Sequence, residues 1–311
     1  MSTEGSTKAV VAALGANLGI GVTKVVAWVL TGASSMLAEA IHSFVDSANQ
    51  VLLLIGGKHS RREADEDHPF GFARYRYFYA FLVAVLLFSL GGLFALYEAW
   101  HKFQHPEPIT AWRWVPIVVL VVSIFLETLS FRTALVESNK ARGSRSIFGF
   151  IRHSRSPELP VVLLEDSGAL LGLMFALVGV SLTLITGNGM WDAAGTAAIG
   201  LLLVAIAIIL ARETRSLLLG ESATEEDRAA IRASLAAAGF ADVIHLRTMH
   251  LGPEDILVTV KVAAEAGETL GDLAPRMDDA ELRIRAAVPN ARLIFIEPDV
   301  RRANQTPAEG E

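Results

Sequence analysis

Five residues, Ser35, Glu39, His42, Asp46 and Asn49, recur every three or four positions in the apolar stretch SMLAEAIHSFVDSANQVLLLIGG. At 100° per residue they fit within an arc of roughly 80° on one helix face. An imidazole and two carboxylates stacked on one face suit a divalent cation or a proton path. The stretch is long enough to cross a bilayer, where an ionisable group at mid-depth costs at least ~2.5–3.5 kcal/mol. Side chains kept at that cost need partners.

A second apolar stretch, VVLLEDSGALLGLMFALVGV, holds Glu165 and Asp166 side by side. Neighbours on a helix point about 100° apart, so one is expected to face the stripe and the other a neighbouring helix or an inner vestibule. Other polar groups in apolar runs are Asn17 and Lys24, and the set Ser123, Glu127 and Ser130 on one face. Glu127 has two readings, as a partner of Lys24 or as part of an ion route. Asp192 opens a further run, where a helix N-terminus favours an anion, so it is expected to cap that helix. The loop EADEDHPFGFARYRY gathers Asp65, Asp67 and His68. These either bind a metal or form a solvated charged loop tied down by Pro69 and Gly71. His245 and His250 lie five apart in one strand, on opposite faces, and make no shared site.

The elements that hold these groups follow from hydropathy. The 311 residues are 52% hydrophobic and fall into six long apolar runs, roughly 9–31, 35–57, 77–100, 112–135, 159–186 and 190–211. Each meets the bilayer requirement of about 20 residues. The loops after the second and fourth runs carry Lys58, Arg61, Arg62, Arg74, Arg76, Arg132, Lys140, Arg142, Arg145, Arg152 and Arg155, against only Lys102 and Arg113 on the opposite side. That bias places both termini on the cytosolic side. No cysteine is present, which removes thiolate ligands and disulfides together.

After Arg212 the composition changes. Residues 214–311 hold 11 Lys and Arg against 17 Asp and Glu, a net of −6, while residues 1–213 are neutral. An acidic part of this kind is a poor nucleic-acid partner. Its pattern predicts a helix over 223–238 stopped by Gly239, strands over 242–251 and 256–262 joined by a turn at 252–255, a helix over 270–287 and a strand over 292–297. The expected architecture is a six-helix transmembrane domain over 1–213, a cytosolic αββαβ, ferredoxin-like α+β domain over 214–303, and a disordered tail over 304–311.

Three segments resemble the cation diffusion facilitator (cation efflux) family: LTGASSMLAEAIHSFVDSANQ, HPFGFARYRYFYAF and GLLLVAIAIILARETRSLLLGESA. The resemblance implies a homodimer in a plasma (inner) membrane, exporting a divalent metal (Zn, Mn, Fe or Co) against protons. It also implies that His42 and Asp46 are ligands, joined by Asp166 from the fifth span. The chain departs from the family pattern at Val162, which stands where the fifth-span histidine is usual. The expected site then draws its remaining ligand from Glu165, Asn17, Asn49 or water. Phe72 replaces a frequent loop histidine beside Asp65, Asp67 and His68, and the cytosolic domain shows Val260-Lys261-Val262 and Phe295-Ile296-Glu297-Pro298-Asp299 where relatives often carry histidine. A shell with one imidazole and otherwise oxygen is harder than a histidine-rich one, which favours manganese, iron or cobalt beside zinc. The alternative is a membrane protein that senses cations, or assists a transporter, without moving metal. An intramembrane hydrolase is disfavoured by the lack of a Gly-x-Gly-Asp or His-Glu-x-x-His motif.

Overall fold

The computed structural model describes residues 3–143, 146–265 and 267–300, with the side chains of residues 3–13, 16 and 153 left aside. The tail expected over 304–311 lies outside the described residues. The chain divides into two compact units: Met1–Lys58 with Arg76–Arg215, and His59–Tyr75 with Ser216–Glu311. The second unit is thus built from two separated stretches.

The first unit is helical. Its elements are α1 (Thr3–Thr31), α2 (Ser34–His59), α3 (Tyr75–Leu86), a π-helical segment Leu87–Leu93, α4 (Phe94–Gln104), α5 (Val115–Arg142), α6 (Ile147–His153), α7 (Glu158–Thr186) and α8 (Met190–Leu219). Pro116 sits in the first turn of α5, where its missing N–H costs nothing, and α7 stops at Gly187 in the left-handed conformation. Met36, Val83, Leu87, Leu173, Ile199 and Leu203 form part of its core.

Four described stretches are long and apolar enough to cross a membrane: Tyr75–Gln104, Val115–Arg142, Glu158–Thr186 and Met190–Leu219. Large apolar side chains on them, such as Phe125, Val178 and Leu201, are more than half exposed. A lipid-facing surface accounts for that exposure, which water would oppose. The six apolar runs therefore do not all reappear as unbroken apolar helices. The described apolar part of α1 is the shorter Asn17–Thr31. Helix α2 has 26 residues, enough length, but its polar stripe breaks the apolar composition. The third run is a composite, since the π-helical segment interrupts it around Gly91 and Gly92. There the Gly92 Cα lies so close to α8 that an added Cβ would meet Val204 at 2.7 Å. Backbones approach closely across α7 and α8 as well, where a Cβ on Gly195 would sit 2.9 Å from the Phe175 carbonyl.

The second unit carries α9 (Glu225–Ala237), β1 (Val243–Gly252), β2 (Asp255–Ala264), α10 (Leu270–Ala287) and β3 (Ala291–Val300). The sheet order is β1-β2-β3, with β1 antiparallel and β3 parallel to the central β2. Ile256, Val258, Val260 and Val262 alternate onto one buried face of β2, as their period of two requires. Ile231 and Leu235 of α9 and Ile284 of α10 belong to the same core. Thr224 caps α9, accepting from the Asp227 amide. Thr269 and Asp272 form a reciprocal capping box on α10. The Thr269 hydroxyl and amide hold the Asp272 carboxyl below its usual range. A depressed value means the charged half of this box stabilises at neutral pH and is lost as pH falls through that lowered value. Thr269→Ala is expected to loosen the start of α10 by removing its cap, read as faster hydrogen exchange in the first turn of α10, with the difference from wild type shrinking in acid.

Candidate functional site

The polar stripe of α2 is divided among four neighbourhoods. At its N-terminal end, the Asp192 carboxylate of α8 accepts from the Ser34 amide at 2.6 Å, the Ser34 hydroxyl at 3.0 Å, the Ser35 amide at 3.3 Å and the Ser35 hydroxyl. The expectation that Asp192 caps its own helix is corrected here. The first amides of α2 have no intrahelical acceptor, and a buried carboxylate one helix away satisfies them. The Asp192 amide in turn donates to Thr183 of α7 at 2.9 Å.

One turn further along, Lys24 of α1 reaches Glu39. Its ammonium lies 2.9 Å from Glu39 Oε2 and donates to the Ser43 hydroxyl at 3.0 Å. Both charged side chains are at most 1% exposed. Of the two readings of Glu127, the one that paired it with Lys24 is not what the structure shows. Glu39 also leans on α7, where Gly172 makes room: a Cβ there would fall 2.8 Å from Glu39 Oε1.

The middle of the stripe is His42 and Asp46, with Nδ1 and Oδ1 3.6 Å apart. His42 is 1% exposed and neither of its ring nitrogens has a hydrogen-bond partner. Asp46 Oδ1, Glu39 Oε1 and Asn49 Oδ1 are buried and unpartnered too. Buried polar atoms without partners are rare, and a concentration of them needs an explanation. Glu39, Glu127 and Asp166 all lie within electrostatic reach of His42.

At the far end, Asn49 Nδ2 donates to Glu165 Oε1 of α7 at 2.6 Å. The two adjacent acids of α7 diverge, as their 100° separation demands. Glu165 meets α2, whereas Asp166 accepts from Ser130 of α5 at 3.0 Å. Asp166 makes no hydrogen bond or ion pair with His42 or Asp46. Asn17 is half-buried on α1 and has no hydrogen bond among the described residues. Among the described residues no three His, Asp or Glu side chains stand together as a metal-binding group.

The loop residues lie in the second unit. His68 donates its amide to Asp65 Oδ1 at 2.7 Å and brings its ring to 3.1 Å of the same atom, with Arg62 at 4.0 Å from the other oxygen. Desolvation pushes the Asp65 carboxyl up, but the His68 hydrogen bonds, the His68 charge and Arg62 together outweigh it and hold it below the usual range. Asp67 is exposed and outside this clasp. In β1, His250 is buried with Nδ1 3.2 Å from the Gly252 carbonyl.

The stripe and the acid pair are visible in the sequence, whereas the pairings Lys24–Glu39 and Asp192–Ser34–Ser35 are not. Lys24 was the only available signal for the first, a lone cation in an apolar run. Nothing in the sequence says which helix end Asp192 faces.

Comparison with known proteins bears on the whole arrangement. Residues 10–219 match the model of the cation efflux transmembrane domain. The chain is 36% identical over 202 residues to the mitochondrial proton-coupled zinc antiporter SLC30A9 of Xenopus laevis, covering 64% of this chain and 36% of that protein. It is 30% identical over 228 residues to metal tolerance protein C4 of Arabidopsis thaliana, covering 71% and 49%. It is 25% identical over 298 residues to the cation-efflux pump FieF of Pectobacterium atrosepticum, covering 94% and 93%. The matched stretch thus spans about a third of the frog antiporter's length. The mitochondrial label of that relative lends no support to the plasma membrane expected from the sequence. The family match takes in every helix that carries the stripe, its partners and the acid pair, and the chain belongs to the cation efflux family.

Proposed function

We propose that this chain moves a divalent metal cation across a membrane in exchange for protons, by alternating access around a site on α2 facing α7. The observation that carries this reading is the set of buried, unpartnered atoms on one face of α2: both His42 nitrogens, Asp46 Oδ1 and Asn49 Oδ1. A metal ion would satisfy them, and protons would compete for the same atoms, because ligands bind metal deprotonated. His42 and Asp46 are the proposed ligands. Asp166 is the third proposed ligand, with Glu165, Asn17, Asn49 or water completing the shell. Six membrane crossings, both termini on the cytosolic side, a homodimer and a second site at Asp65, Asp67 and His68 belong to the same proposal. Zinc leads the candidate metals because relatives are named for it, and the oxygen-rich shell keeps manganese, iron and cobalt in the comparison.

The test is metal uptake into proteoliposomes under a pH gradient, with metal binding measured in parallel. His42→Ala and Asp46→Ala, as losses of direct ligands, are each expected to weaken metal binding by more than the ~10–100-fold typical of losing an outer-shell partner and to reduce flux to that of protein-free vesicles. Unchanged flux in both variants overturns the site. Wild-type binding without flux supports instead the reading as a cation sensor or accessory subunit.

A further inference from the structure

The second unit contains a cleft of about 410 Å³ between the 59–75 loop and the sheet. That volume lies within the range of about 300–1,000 Å³ typical of small-ligand sites. Its charged lining is Arg61, Arg62 and Glu63 from the loop, Asp255 from β2 and Arg292 from β3. The loop is held against the sheet by close packing: Phe72 and Ala73 are buried, and a Cβ on Gly252 would lie 2.5 Å from that of Ala73.

The guanidiniums are in different states. Arg292 pairs with Asp255 at 2.9 Å. Arg62 stacks over the Phe72 ring at 4.4 Å. Arg61, and Glu63 beside it, have no hydrogen bond or ion pair among the described residues. Arg62 and Arg292 each have a carboxylate within ion-pair distance, Asp65 at 4.0 Å and Asp255 at 2.9 Å, which leaves Arg61 as the lining cation without an ion pair. The rest of the wall is apolar, with Ile256, Leu293 and a half-exposed Phe70. Guanidinium forks match phosphate oxygens. A phosphomonoester carries roughly −1.5 to −2 at neutral pH, more than this lining balances. A phosphodiester carries a single charge and has a substituent on each side to lie on apolar walls.

We infer that this cleft binds a phosphodiester anion, with Arg61 as the free cation that receives it. The inference stands apart from the proposed metal site, and its headgroup source rests on the proposed bilayer crossing of α2. Two sources share this chemistry, an anionic phospholipid headgroup and a soluble phosphodiester. Arg61 follows the last residue of α2 by two positions, so a bilayer-crossing α2 delivers it to the headgroup region, where basic residues recruit anionic lipids.

The experiment uses the purified full chain in neutral detergent. Calorimetric binding is measured for short-chain phosphatidylglycerol, for glycerophosphoglycerol, which is its headgroup without acyl chains, and for inorganic phosphate. Arg61→Gln is expected to weaken phosphatidylglycerol binding by at least ~5-fold, and Glu63→Gln to tighten it by about twofold, by removal of an opposing charge. Both side chains are exposed and unpartnered, so both variants keep the fold, checked by an unchanged melting temperature. Glycerophosphoglycerol binding as tightly as the lipid supports the site and makes a soluble phosphodiester its ligand. Binding of the lipid alone supports it with a headgroup as ligand. Equal affinity of wild type and both variants, or inorganic phosphate binding as tightly as phosphatidylglycerol, overturns the inference.

Discussion

Replacing Lys24 by methionine is expected to destabilise the helical unit by about 3–5 kcal/mol, the usual cost of removing one partner of a buried ion pair. The Lys24 ammonium is hydrogen-bonded on three sides, to Glu39 Oε2 at 2.9 Å, the Ser43 hydroxyl at 3.0 Å and the Glu39 carbonyl at 3.4 Å. Methionine keeps the length and the apolar stem but leaves the Glu39 carboxylate without its cation, in a setting where Glu39 is fully buried. Glu39 Oε1 already lacks a partner, so nothing local can take over. The reverse change, Glu39→Gln, is expected to cost less, because Ser43 and the Glu39 carbonyl still receive the ammonium. The double variant Lys24→Met/Glu39→Gln is expected to recover most of the loss, since both charges leave together. Denaturant unfolding of the detergent-solubilised chain measures all three, and the double-mutant cycle isolates the pair from the packing. A Lys24→Met protein within 1 kcal/mol of wild type, or a double variant no better than the single, would show that the pair does not hold α1 to α2.

How much of this was legible in the sequence depends on which physical quantity carries the information. The stripe on α2 was legible because a helix has a fixed period, and five polar residues stand out on an apolar background. The divergence of Glu165 and Asp166 followed from the same 100° step. The elements of the second unit were legible for a different reason: β2 alternates apolar and polar residues, the turn at 252–255 separates it from β1, and Gly239 marks the stop after α9. Rotation of one helix against another was not legible, because it is set by packing among residues distant in the chain. That is why Lys24 was open to pairing with Glu127 but meets Glu39, and why Asp192 serves α2 and not α8. The π-helical segment was hidden for a similar reason. Residues Leu87–Leu93 look like ordinary apolar helix, and only the close approach of Gly92 to α8 shows where the backbone gives way. The loop around Asp65, Asp67 and His68 reads either as a metal site or as a solvated charged loop tied down by Pro69 and Gly71. Its buried Phe72 and Ala73 make it part of the second unit.

Asp192→Ala is expected to cost at least about 3 kcal/mol, because a hydrogen bond to a charged group is worth roughly 1.5–3 kcal/mol and four donors lose their acceptor together. The donors are the amides and hydroxyls of Ser34 and Ser35, all buried, so water does not replace the carboxylate. The hydroxyls can turn elsewhere; Ser34 Oγ already lies 3.0 Å from Thr196 Oγ1. The two amides cannot turn, and they account for most of the cost. Asp192→Asn retains the volume and one oxygen but loses the charge that favours a helix N-terminus, so about half of the loss is expected. The effect should also be local. Hydrogen exchange at the first turn of α2 is expected to rise well above that in the middle of α7 and α8. Because the Asp192 amide is held by Thr183, this residue ties α2, α7 and α8 at one end, while Asn49 and Glu165 tie α2 to α7 at the other. His42 and Asp46 lie between the two ties. In the proposed transporter, loosening the Asp192 tie is expected to lower flux while leaving metal affinity at His42 and Asp46 within about twofold of wild type, since no proposed ligand is touched. Exchange at Ser34–Met36 as slow as in wild type would show that the carboxylate is not what holds this end of α2.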